Sequence, residues 1–178
     1  MVRTSIMKII ILTILLFNFV PCISQNLTLD EVVSLRKQNI AVVEETLTEK
    51  NWSLIEVKEP TEQEMGTVIF AFKKRDYNDD AQAFFKFYYS DETGTQRVSI
   101  QLNKKEFYDN YIARIKSLGC TLKDSKLSDG SIRKIYAGKT VTFEVSIITK
   151  KNGYSETRTI YEIFILTNED YTRNFSEE

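Results

Sequence analysis

Asp76-Tyr77-Asn78-Asp79-Asp80 sets side-chain oxygens at alternate positions, which is how a calcium-binding loop begins. The pattern then departs from such a loop. Its sixth position is Ala81, where a sharp turn needs glycine, and its twelfth is Phe87, where a bidentate glutamate belongs. The stretch therefore reads as a solvated loop between two strands, and no metal is expected. Nucleophilic catalysis has equally little to work with, because the chain contains no histidine and two cysteines, Cys22 and Cys120. The common triads and dyads need an imidazole, a zinc site needs more thiolates, and no glycine-rich loop joins a strand to a helix for phosphate. Cys120 reads as a buried structural thiol. With 25 acidic residues, no carboxylate pair is singled out for glycosidic chemistry. The expectation is a protein with no catalytic residues and no cofactor.

Charge excludes one class of partner. The chain carries 24 basic and 25 acidic residues, net −1, without a basic block, so nucleic acid is not an expected partner. Lys104-Lys105 and Lys150-Lys151 are short pairs that read as solvated ends of elements.

The N-terminus carries an address. Arg3 and Lys8 precede an apolar run from Ile9 to Val20, closed by Pro21. That run is shorter than the roughly 20 residues that span a bilayer, so residues 1–24 read as a secretory signal peptide cleaved after Ser24. Cys22 and Ser24 then occupy the small-residue positions of the cleavage site, and no transmembrane anchor is expected after cleavage. Acylation of Cys22 is disfavoured, since Pro21 stands where a lipobox has a small residue. The protein is expected to be periplasmic or extracellular, and residues 25–178 to form a single α+β domain.

Two helix signals organise that domain. Thr28-Leu29-Asp30-Glu31 is a capping box, followed by apolar positions at Leu29, Val32, Val33, Ile40, Val43 and Leu47, which predicts one helix over 28–50. Asn103, three residues before Glu106, opens a second helix through Tyr108, Tyr111, Ile112, Ile115 and Leu118, stopped by Gly119. Four strand-like runs follow each helix: 52–57, 67–73, 81–90 and 96–102 after the first, and 121–125, 132–137, 139–149 and 157–166 after the second. Asp91-Glu92-Thr93-Gly94, Asp129-Gly130, Gly138-Lys139 and Asn152-Gly153 supply the reversals, so neighbouring strands run antiparallel. Asn51-Trp52-Ser53-Leu54 and Gly119-Cys120-Thr121-Leu122 share an order of stop residue, buried-type residue, hydroxyl and leucine. The reading is two tandem α-β-β-β-β repeats, 28–102 and 103–167, that form one curved antiparallel sheet covered by two helices in a two-layer α+β fold.

This order of elements resembles that of β-lactamase-inhibitory proteins and related bacterial envelope modules, and the signal segment ending Ile23-Ser24-Gln25 is similar to those of small exported proteins of Gram-negative bacteria. The resemblance is architectural. It implies export and a sheet laid over helices, and it carries over no functional residue.

The run Phe84-Phe85-Lys86-Phe87-Tyr88-Tyr89 bears most directly on function. If Ala83, Phe85, Phe87 and Tyr89 point to the helices, then Phe84, Lys86 and Tyr88 face outward, where they can meet a partner. Trp52, Tyr108 and Tyr111 read as core residues. The expected function is non-enzymatic binding of another exported protein, as an inhibitor or immunity-type partner. A small hydrophobic-ligand carrier with a pocket lined by Phe70, Phe85 and Ile112, and a carboxylate-dependent hydrolase, are the alternatives.

Overall fold

The computed structural model describes residues 27–75, 81–128, 130–151 and 157–175. The expected signal segment 1–24, the acidic stretch Asp76–Asp80, and the turn residues Asp129 and Asn152-Gly153 lie outside the described residues.

In chain order the elements are α1 (Leu29–Leu35), α2 (Ile40–Glu49), β1 (Trp52–Lys58), β2 (Gly66–Phe72), β3 (Ala83–Tyr89), β4 (Gln96–Leu102), α3 (Lys105–Ser117), β5 (Thr121–Ser128), β6 (Ser131–Ala137), β7 (Val141–Lys151), β8 (Thr157–Thr167) and α4 (Asn168–Asn174). All eight strands join one sheet in the order β1-β2-β3-β4-β8-β7-β6-β5, and every neighbouring pair is antiparallel. The fold is α+β, with two four-stranded meanders meeting edge to edge at β4 and β8.

One face of the sheet is apolar throughout its centre. Phe70, Phe85, Ile100, Ile163 and Val145 lie opposite one another across five adjacent strands, and Val68, Phe87, Val98, Ile165, Phe143 and Tyr136 form the next row. All of these side chains are buried. Alternation dictates this arrangement, since period-two apolar residues on neighbouring strands must meet on one side. Onto that side pack Leu29, Val32 and Leu35 of α1, Val43 and Leu47 of α2, and Phe107, Tyr111 and Ile115 of α3. Trp52 sits among them, 5.4 Å from the Phe72 ring and edge-on to Phe85 at 6.5 Å. Tyr111 donates its hydroxyl to the Leu27 carbonyl at 3.1 Å, and Tyr108 stacks on Tyr161 at 4.4 Å, so both tyrosines are packing residues.

The helices differ from expectation in three respects. The helix expected over 28–50 is two helices, because the amides of Lys37 and Gln38 bond back only three residues, to Ser34 and Leu35, which ends α1. Asn39 then turns extended, and its side-chain oxygen accepts the Val42 amide at 3.0 Å to start α2. The Thr28–Glu31 capping box does form, with Glu31 accepting the Thr28 amide at 2.7 Å. Asn103 caps nothing: α3 begins at Lys105, and the Asn103 amide donates instead to the Ala81 carbonyl at 2.6 Å. Finally, α4 was not expected. Its N-cap is Thr167, whose hydroxyl accepts the Asp170 amide at 3.0 Å. Four helices therefore accompany the sheet among the described residues, where two were expected.

Both edge strands are irregular. The register of β1 shifts between Leu54 and Glu56, and that of β5 between Leu122 and Asp124. Asn51, directly before β1, and Gly119, two residues before β5, hold φ of 61° and 79°. A left-handed residue at each place ends the helix and redirects the chain onto the sheet.

Candidate functional site

The second face of the sheet carries a different chemistry. Phe84, Lys86 and Tyr88 all project onto it, as the alternation of β3 predicts, while Ala83, Phe85 and Phe87 point to the helices and are buried. Two rows cross this outer face. Ile69, Lys86, Ser99, Phe164, Glu144 and Ile135 stand opposite one another from β2 to β6, beside Ala71, Phe84, Gln101, Glu162, Ser146 and Arg133.

Polar bonds knit the two rows together. Glu162 accepts from the Ser99 hydroxyl at 3.2 Å and lies 3.5 Å from the Lys86 ammonium. Arg133 donates to Glu144 at 2.8 Å, and both side chains are 18% exposed. Ser99 is buried between its cross-strand neighbours Lys86 and Phe164, whose longer side chains flank it.

At one end of the face the aromatic groups form a chain. The Tyr88 ring meets Phe164 edge-on at 5.4 Å, Phe164 meets Phe175 at 5.7 Å, and Tyr171 stacks with Phe175 at 6.5 Å. Arg97 locks this end. Its guanidinium donates to both carboxylate oxygens of Asp170, at 2.7 and 2.8 Å, and lies 5.0 Å from the Phe175 ring centre. A bidentate pair of this kind is directional as well as strong, so it fixes α4 on the sheet. Asn174 adds a bond to the Asp170 carboxylate at 2.7 Å.

Clefts gather beyond this end, around the β3–β4 turn. One of about 380 Å³ is lined by Arg36, Lys37, Thr93, Thr95, Asp170 and Arg173, among others. A second, of about 330 Å³, lies between the same turn, Thr61–Met65 and Arg97. Burial pulls the Arg36 guanidinium below its ordinary value, while the Asp170 charge acts against that shift. Phe70 and Phe85, expected to line a ligand pocket, are wholly buried in contact with their neighbours on the helix-covered face.

The Cys120 thiol is part of the packed interior. Cys120 is buried against the helix-covered face, and burial pushes its thiol up. A Cβ on Gly138 would meet its sulfur at 2.7 Å, which shows how closely the chain packs around it. Among the described residues, no group of three or more acidic or cysteine side chains is placed to hold a metal ion. Satisfied ion pairs, half-buried rings and small hydroxyls make the outer face suited to shape and hydrogen-bond recognition.

The outward direction of Phe84, Lys86 and Tyr88 was readable from sequence. Glu162 and Phe164, which touch Lys86 and Tyr88, and Arg133 and Glu144 farther along the face were not singled out. The signal existed, since Ile163 and Ile165 must face the helices and period two turns Glu162 and Phe164 outward. Comparison of the chain with protein-family models, with curated proteins and with solved structures finds no match.

Proposed function

We propose that this is a secreted or periplasmic, non-enzymatic binding protein that holds another exported protein on the outer face of its sheet, as an inhibitor or immunity-type partner does. Phe84, Lys86 and Tyr88 are the contact residues of this reading. The observation that carries it is the composition of the face, where half-buried Ile69, Phe84 and Phe164 alternate with the Lys86–Glu162 and Arg133–Glu144 pairs. Aromatic and aliphatic groups provide area that a partner can desolvate at low cost. The charges already have partners, so covering them leaves no lone ion behind.

Duplication is the finer part of the reading, with repeats 28–102 and 103–167 each supplying one meander. Three correspondences support it. The bulges of β1 and β5 follow left-handed residues at equal distances. The side-chain amide of Asn103, just after β4, donates to the carbonyl of Ala81, and that of Asn168, just after β8, donates to Lys139; each acceptor lies two residues before the start of its strand. At the centre, the pairs Val98–Ile165 and Ile100–Ile163 flank Ser99–Phe164 as a two-fold axis through that pair requires. Doubling a meander in this way widens one sheet to eight strands and so enlarges the face that a partner can cover.

The test is capture of partners from the native envelope extract by the Phe84→Ala, Tyr88→Ala double variant, beside the unaltered protein. The variant should fold, with its melting point within a few degrees, and lose the exported protein that the unaltered form retains. Retention of every partner eliminates this face.

A further inference from the structure

The sheet order leaves β1 and β5 as edges, each with a row of unpaired backbone donors and acceptors. Ser53 to Lys58 are all exposed, and Leu54, Ile55 and Val57 are 49%, 39% and 58% accessible. On β5, Leu122 is 51% and Leu127 is 83% accessible. Neither edge is blunted by a proline within the strand.

We infer that β1 of one copy pairs antiparallel with β5 of a second copy, extending the sheet from molecule to molecule. Direction permits it: with eight strands alternating, the two edges run oppositely, so copies laid side by side continue the antiparallel pattern. Charge then selects the register. With Val57 opposite Ser125, Glu56 meets Lys126 and Lys58 meets Asp124. All four side chains lie on the outer face, since their partners within the chain are Ile69, Arg133, Thr67 and Ile135. Glu56 and Asp124 hold equivalent places, each the first paired residue after its bulge, so the backbone of the two edges has the same phase there.

Like edges fit less well. Pairing β1 with itself about Val57 matches Glu56 to Lys58 but sets Ile55 against Glu59. Pairing β5 with itself about Ser125 matches Asp124 to Lys126 but sets Leu127 against Lys123. The mixed pairing replaces both mismatches with Ile55 against Leu127 and Glu59 against Lys123. Opposite charges facing each other across strands stabilise the pair, and like charges there oppose it. Lys58 already holds Glu64 within its own chain. That pair is exposed, so exchanging it for Asp124 of a neighbour costs little. An interface of unlike edges does not close on two copies, so it continues into chains or rings.

Sedimentation velocity of the purified protein over a concentration series at low salt tests this. Association should proceed beyond dimers as concentration rises. Glu56→Lys alone and Lys126→Glu alone should each weaken it by about tenfold or more, and an equimolar mixture of the two should restore it. A protein that stays monomeric up to about 1 mM overturns the inference. So does Lys126→Glu leaving association intact, or a mixture that fails to recover. Amide exchange on the unaltered protein provides a second measurement: concentrating it should slow exchange at 55–58 and 124–127, and unchanged rates there also overturn the inference.

Discussion

Phe84 and Phe85 are adjacent on β3 and identical in type, yet they belong to surfaces built on different rules. Phe85 is wholly buried in a row with Phe70, Ile100, Ile163 and Val145, under the helices. Phe84 lies half-buried between Ala71 and Gln101, on a face where ion pairs and hydroxyls stand among the rings. The helix-covered face is specified by the need to remove apolar area from water, which every residue in it serves. The outer face meets that demand only in part, since Ala71 and Ile135 are buried there while Ile69, Phe84 and Phe164 are half-buried among charged and hydroxyl groups. Part of its aromatic content, the Tyr88–Phe164–Phe175 chain, is packed within the fold, and Phe84 lies outside that chain.

Removing the larger of these two contributions should break the molecule. Phe85→Ala is expected to cost about 3–5 kcal/mol, because the vacated volume lies between rigid strands and the Trp52 ring and has little room to collapse. Denaturant unfolding of the variant checks this. A loss below about 1 kcal/mol would mean that the helices do not close over that row as described.

The Arg97–Asp170 pair, where the outer face meets α4, is intermediate in its expected effect. Asp170→Ala leaves an arginine that is 18% exposed without its carboxylate and also removes the shorter of the two bonds that the Asn174 amide donates to Asp170. The expected loss is about 2 kcal/mol, less than for a fully buried pair because Arg97 retains some contact with water. Amide exchange should show the loss confined to α4 and the adjoining ends of β4 and β8. Uniform destabilisation of the sheet would instead make α4 part of the core and weaken the contrast between the faces.

How far the fold could be read in advance follows the same division. Gln96–Leu102 was bounded correctly because strict alternation of Val98, Ile100 and Leu102 defines a strand by itself. The other strands fell within a few residues of their observed ends for the same reason. The break at Arg36–Asn39 was missed because Val33 and Ile40 continue the helical stripe in register across a polar gap, and a stripe does not reveal where the hydrogen bonds stop. Ile40 is in fact 37% exposed, so it never belonged to the buried stripe. α4 was missed although Thr167-Asn168-Glu169-Asp170 places a hydroxyl three residues before an acid; its short length gave no periodicity to draw attention. On the outer face, alternation gave the direction of Phe84, Lys86 and Tyr88. It could not give their partners. The pairing of β4 with β8 brings Ser99 to Glu162, 63 residues later, and Arg97 meets Asp170 across 73, separations that no local pattern encodes.

The smallest expected effect is the most discriminating. Phe84→Ala should cost about 1 kcal/mol, well below Phe85→Ala, since the half-buried Phe84 ring keeps some contact with water while Phe85 has none. Measured beside Phe85→Ala in the same denaturant series, it compares one type of side chain on the two faces of a single strand. A clear difference means that the Phe84 ring contributes little to folding, as the proposed recognition role requires. Near-equal losses would mean that Phe84 is as much a core residue as Phe85. Something would then cover the outer face as the helices cover the other, and an aromatic surface held there for a partner would no longer be needed to account for the composition of β3.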